Sequence, residues 1–109
     1  MISRIWHGWT SLENADRYED LLRSRIFPGI IGRRIPGFEH IELHRRPLGD
    51  EVEFITIMRF ASLDAVKAFA GEDWETSVVP PDARTVLSRF DDKAQHYEIR
   101  VERSAVEAA

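Results

Sequence analysis

One segment constrains the fold more than any other: Glu51 to Phe60, Glu-Val-Glu-Phe-Ile-Thr-Ile-Met-Arg-Phe. Phe54, Met58 and Phe60 fall on one parity of an extended chain, while Ile55 and Ile57 fall on the other. A strand that is apolar on both sides belongs in the middle of a sheet with both faces covered. Ile2 to Trp9 has the same two-sided character, with β-branched and aromatic residues throughout. Phe38 to Arg46 alternates instead, with Ile41 and Leu43 opposite His40, Glu42 and His44, as does Ala94 to Glu102, with Tyr97, Ile99 and Val101 opposite His96, Glu98 and Arg100. Alternation marks a strand with one buried face.

Helical spacing fills the gaps. Ala15, Tyr18, Leu21, Leu22 and Ile26 form an apolar stripe, which predicts a helix over Leu12 to Ile26. Thr10 and Glu13 have capping-box spacing before it, and Pro28-Gly29 is expected to stop it. Ser62 is placed to cap a second helix, Leu63 to Ala70, ended by Gly71. Asp73 is placed to cap a short turn through Trp74 to Val79, and Ala83 to Phe90 reads as a third helical piece.

The order β-α-β-β-α-β describes an α+β, ferredoxin-like protomer with antiparallel sheet order 4-1-3-2, which puts the two doubly apolar strands at the centre. Residues 1–103 are expected to be one domain, and 104–109 a fraying C-terminal tail. Two helices cover only one face of four strands. The other apolar set of the third strand therefore calls for a partner, and a homodimer joined through sheet faces is the expected solution.

Composition removes other classes. There is no Cys, hence no disulfide, no thiolate nucleophile and no Cys-ligated metal. With 15 Lys and Arg against 19 Asp and Glu, the net charge is −4, which disfavours nucleic acid as partner. No stretch nears the roughly 18 apolar residues of a membrane span, so a cytoplasmic protein with no membrane partner is expected. His40 and His44 lie about 13 Å apart along one strand and cannot share a metal, so no metal site is expected. No phosphate-binding glycine loop and no nucleophile elbow occurs, and no cofactor is expected.

Ile35-Pro36-Gly37-Phe38 leads into a strand with Leu43-His44-Arg45-Arg46. A strand ending Ile57-Met58-Arg59-Phe60 then runs into Ser62-Leu63-Asp64-Ala65-Val66-Lys67-Ala68-Phe69. In these residues the chain resembles the antibiotic biosynthesis monooxygenase family of dimeric α+β barrel proteins. The resemblance spans strand one to strand four, and its motifs are structural. It implies a dimeric barrel and a cofactor-independent monooxygenase-like activity on a small aromatic, quinol or polyketide-type substrate. The alternative is a non-catalytic small-molecule-binding or stress-associated dimer of the same fold. The haem-degrading branch resembles a pattern of Asn, Trp and His at positions that hold His7, Phe69 and Val79 here, so haem degradation is not expected.

His7 shares parity with Ile5 and Trp9. If that face meets the helices, His7 is a neutral base in an apolar pocket, placed to take a proton from a phenolic or enolic substrate. The resulting anion can pass an electron to dioxygen in a dry site. The competing role is a structural His. Trp9, Phe69, Trp74 and Tyr97 are the candidate substrate-binding residues: aromatic walls suit a planar ligand, and Tyr97 can donate to a ligand oxygen. All four also suit a plain core.

Overall fold

The computed structural model describes residues 1–106. Its strands are β1 (Ile2–Ser11), β2 (Phe38–Leu48), β3 (Glu51–Phe60), β4 (Arg89–Phe90) and β5 (Gln95–Glu98). Its α-helical segments are α1 (Ala15–Leu21), α2 (Phe27–Gly32), α3 (Leu63–Ala70) and α4 (Pro81–Val86). The sheet is antiparallel, in the order β2-β3-β1-β4, and β5 also pairs with β1. The predicted fold and strand order are therefore present, with strand four in two pieces.

The break in strand four has a cause. Gly8 and Trp9 pair with β4, and Ile2 to Ile5 pair with β5. Between them the chain leaves β1 to meet the segment before α4: Thr76 bridges Lys93, the Ser77 amide donates to the Asp92 carbonyl, and the Ala94 amide donates to the Glu75 carbonyl. The third helical piece ends at Val86 rather than Phe90, because Leu87 turns extended and the Ser88 amide donates to the Trp9 carbonyl. Regular pairing stops at Glu98, short of Glu102.

The first helix also departs from expectation. Thr10 lies in β1, fully buried, with its hydroxyl donating to the Ser11 carbonyl, so no capping box forms. Helix begins only at Ala15 and then runs through Pro28-Gly29 to Gly32. The proline is tolerated because Leu22–Ile26 widens into a π-turn, in which the Phe27 amide reaches back to the Leu22 carbonyl. Pro28 then stands in the first turn of α2, where its missing N–H costs least. The Ser62 cap forms as expected, its Oγ accepting from the Ala65 amide at 3.2 Å.

Strand parity decides which face is covered. Val52, Phe54, Met58 and Phe60 are buried under the helices. Ile55 and Ile57, with Ile5, His7 and Trp9 beside them on β1, stand half-buried on the opposite, open face. A bulge between Phe38 and His40 brings Phe38 onto the helix-covered face with Ile41 and Leu43. The core forms two clusters. In one, Ala15, Tyr18 and Leu22 pack on Val52 and Phe54 with Ala83 and Val86; in the other, Ala65, Val66 and Phe69 pack on Met58 and Phe60 with Ile35.

The predicted tail starts at Ser104; 104–106 carry no helix or strand, and 107–109 lie outside the described residues. Among the described residues no helix is long and apolar enough to cross a membrane.

Candidate functional site

Between the two core clusters lies a cavity of about 60 Å³. Tyr18, Leu22 and Ala83 wall it from one cluster and Met58 and Phe69 from the other; Trp6, Phe27, Val78 and Pro80 also line it. Its position is set by β3. Buried side chains run along the covered face of that strand through Val52, Phe54, Met58 and Phe60, and the run lapses at Thr56. Thr56 sits between Trp6 on β1 and Leu43 on β2, and it lines the cavity. A short polar side chain where its neighbours are large and apolar leaves the space unfilled.

Arg4 is the charged residue of this wall. It lies on the covered face of β1 and is only 4% exposed. Its Nη1 donates to the Trp74 carbonyl at 2.6 Å and meets His96 Nε2 at 2.9 Å, and its Nη2 donates to the Thr76 carbonyl at 3.3 Å. Its Cζ stands 5.4 Å from the centre of the Phe69 ring. Burial pulls the guanidinium down to about 10, still charged at neutral pH. Burial and the adjacent Arg4 charge hold His96 below its ordinary value, partly opposed by Glu75, so at neutral pH its Nε2 lone pair accepts from Arg4. Tyr18 is buried on the opposite wall, and desolvation raises its phenol pKa strongly, so it is a neutral hydroxyl.

The sequence-predicted site residues divide between the two faces. Phe69 lines the cavity. Trp74 lies beside it, its ring edge-on to His96 at 4.8 Å and its carbonyl bound to Arg4. His7 does not face the helices: it pairs with Ile55 on the open face, where its Nδ1 lies 3.3 Å from Glu53 Oε2. Trp9 is there too, stacked near His7 at 6.1 Å and under the Arg89 guanidinium at 3.9 Å. Tyr97 is 56% exposed opposite Ser3, and His96 takes the inward position expected of it. The register thus inverts strand four: Arg4 pairs with His96, whose Nε2 serves the buried guanidinium as acceptor at 2.9 Å.

Sequence reasoning missed Arg4, Thr56 and His96. The signal for the first two was present: Arg4 shares parity with Trp6 and Thr10, and Thr56 interrupts an apolar stripe. On β2, Glu42 lies between His40 and His44, 3.8 and 3.5 Å from them, and among the described residues no three His, Asp or Glu converge as metal ligands.

No family model and no curated protein matches the chain. Among solved structures, a Bacillus cereus protein described provisionally as an antibiotic biosynthesis monooxygenase is similar in fold. It aligns with a TM-score of 0.68 over 98% of both chains, at 14% sequence identity. The protomer fold implied by the sequence resemblance is thus matched over 98% of the chain. Likeness at this identity concerns the fold, and function has to be argued from the site.

Proposed function

We propose that the chain is a homodimeric, cofactor-independent monooxygenase-like enzyme acting on a small aromatic or quinol-type substrate bound between helices and sheet. The observation that carries this reading is the division of the core into two clusters around an aromatic-walled cavity. A well-packed domain of this size has no need of such a gap. Trp6, Phe27 and Phe69 suit a flat ring by apolar burial and edge or face contact. At about 60 Å³ the space is smaller than the ~150 Å³ that holds benzene, so a ring enters as Val78–Pro80, which belongs to no strand and precedes α4, gives way. An ionised quinol or enol in these dry surroundings can itself pass an electron to dioxygen.

The same reading places a second subunit on the open sheet face, over Ile5, Ile55 and Ile57. Trp9 Nε1 is buried there without an acceptor among the described residues. His7 then belongs to the subunit seam, and a base role for it would operate there, outside the cavity.

The position of His7 also favours a second reading, a ligand-binding dimer without catalysis. Oxygen uptake with a panel of anthrone-like and quinol substrates separates the two. Turnover that disappears when the cavity is filled supports the enzyme. Binding of the same compounds without oxygen uptake supports the binding protein, and absence of both overturns the site.

A further inference from the structure

We propose that Arg4 forms an anion subsite in the cavity, so that the natural ligand is a small apolar molecule bound as its oxyanion, its charged oxygen on the guanidinium and its ring against Phe69. The inference rests on the cavity reading above and adds the charge state of the ligand.

Three observations carry it. First, Arg4 is buried, yet among the described residues no carboxylate pairs with it: its partners are two backbone carbonyls and an imidazole nitrogen. The chain pairs many of its other arginines with acids, including Arg45 with Asp16 and Glu19, Arg46 with Glu53, and Arg89 with Glu51. A buried charge without a counter-ion is costly, and an entering anion repays that cost. Second, the bonds made by Nη1 and Nη2 leave Nε–H and one Nη2–H without a protein acceptor, which is the donor supply a delocalised oxyanion needs. Third, the guanidinium is fixed. The Trp74 and Thr76 carbonyls and His96 hold it from the β5 side, and the Phe69 ring lies against it. A side chain already held in place loses little freedom when the ligand binds.

The remaining walls, Trp6, Tyr18, Leu22, Phe27 and Met58, bring no second charge. They fit a monoanion with an apolar body and disfavour a dianion or a zwitterion.

The test uses two probes that share one ring system: 2-hydroxy-1,4-naphthoquinone, as its anion at neutral pH, and its neutral 2-methoxy ether. Affinities for the full-length protein are read by calorimetry and by the anion's visible absorbance. The anion is expected to bind at least about tenfold more tightly than the ether, the scale of one charge-assisted hydrogen bond. Arg4→Gln is expected to remove that preference while leaving ether affinity within about threefold, and Arg4→Lys to restore part of it. Equal affinities for the two probes in the parent protein would overturn the anion subsite and leave the cavity reading standing. A preference that persists in Arg4→Gln would overturn it as well. Binding of neither probe would overturn the cavity reading and this inference together. Should Arg4→Gln fail to fold, the comparison of probes on the parent protein and Arg4→Lys still decides.

Discussion

His7 Nδ1 lies 3.3 Å from Glu53 Oε2, and the other oxygen of that carboxylate accepts from Arg46 Nε at 2.6 Å. The three residues form a polar row across β1, β3 and β2 on the open face. Glu53 sits below the usual carboxylate range, chiefly through the Arg46 bond and then through His7. Arg46 therefore holds the carboxylate even when His7 is removed.

His7→Ala is expected to cost about 1 kcal/mol of stability, the net worth of one hydrogen bond, and His7→Gln less, because Gln can still donate to Glu53. Both variants should keep oxygen uptake within about tenfold of the parent. A base that took the substrate proton would cost about 10²–10⁴-fold in either variant. Thermal melts read beside oxygen-uptake rates distinguish the cases, and a loss of 10²-fold in a folded His7→Gln would return His7 to the chemistry.

His96 gives the pH dependence. Its folded-state value is lowered by burial first and by Arg4 second. The unfolded chain therefore binds the proton more readily, so this contribution is complete above the unfolded value of about 6.5 and is lost as pH falls through the lowered folded value. Melting temperature should fall on acidification from about pH 7 to pH 5. His96→Gln retains an oxygen acceptor for Arg4 and should flatten that slope. An unchanged slope would place the acid sensitivity elsewhere.

Ile57 lies between Ile5 and Glu42 on the open face and is half-buried in the single chain. Ile57→Lys should fold, since the side chain can turn toward Glu42, but should abolish sheet-to-sheet association. Light scattering at micromolar concentration should give twice the chain mass for the parent and the chain mass for the variant. A parent that runs as a monomer would leave the apolar open face without its proposed cover.

Parity and strand order were legible because two-sided apolarity in Glu51–Phe60 and Ile2–Trp9 admits few sheet positions. The covered face of β1 was not legible for the same reason. Ile5 and Trp9 on one parity, and Trp6 with Thr10 on the other, look equally able to be inside. An Arg is ordinarily expected at the surface and a His can be on either side, so residue type does not point to the arrangement found. The buried Arg4 is the exception, and on strand four its partner His96 takes the inward position in place of Tyr97. Pro28-Gly29 reads as a stop in any local analysis, because the π-turn that accommodates the proline has no sequence signature of its own. The Thr10 box failed because a fully buried strand position is worth more to Thr10 than a cap.

Gly37, in the turn that leads into β2, has φ +84, and a Cβ there would stand 2.8 Å from the Ala65 Cβ on α3. Its carbonyl also accepts from the Ala61 amide at 2.7 Å, so the turn cannot shift away freely. Gly37→Ala should cost about 2–4 kcal/mol, from left-handed strain plus the clash. A melt showing a loss under about 1 kcal/mol would mean that α3 can slide on the sheet.

Thr56 tests the cavity itself. It is the half-exposed position in a row whose other members, Val52, Phe54, Met58 and Phe60, are buried, and its neighbours across the sheet are Trp6 and Leu43. Thr56→Ile exchanges a hydroxyl for extra apolar volume directed into the gap. If the space is only imperfect packing, filling it adds about 1 kcal/mol through burial of one or two carbons and changes nothing else. If the space is the ligand site, the same gain in stability comes with a loss of at least about tenfold in probe affinity and in oxygen uptake, the trade expected where function keeps a core unfilled. Thr56→Val controls for the hydroxyl: it removes the polar atom at nearly constant volume and should bind within about threefold of the parent. A more stable Thr56→Ile protein that binds and turns over like the parent would show that the gap between the two core clusters is not where the ligand sits.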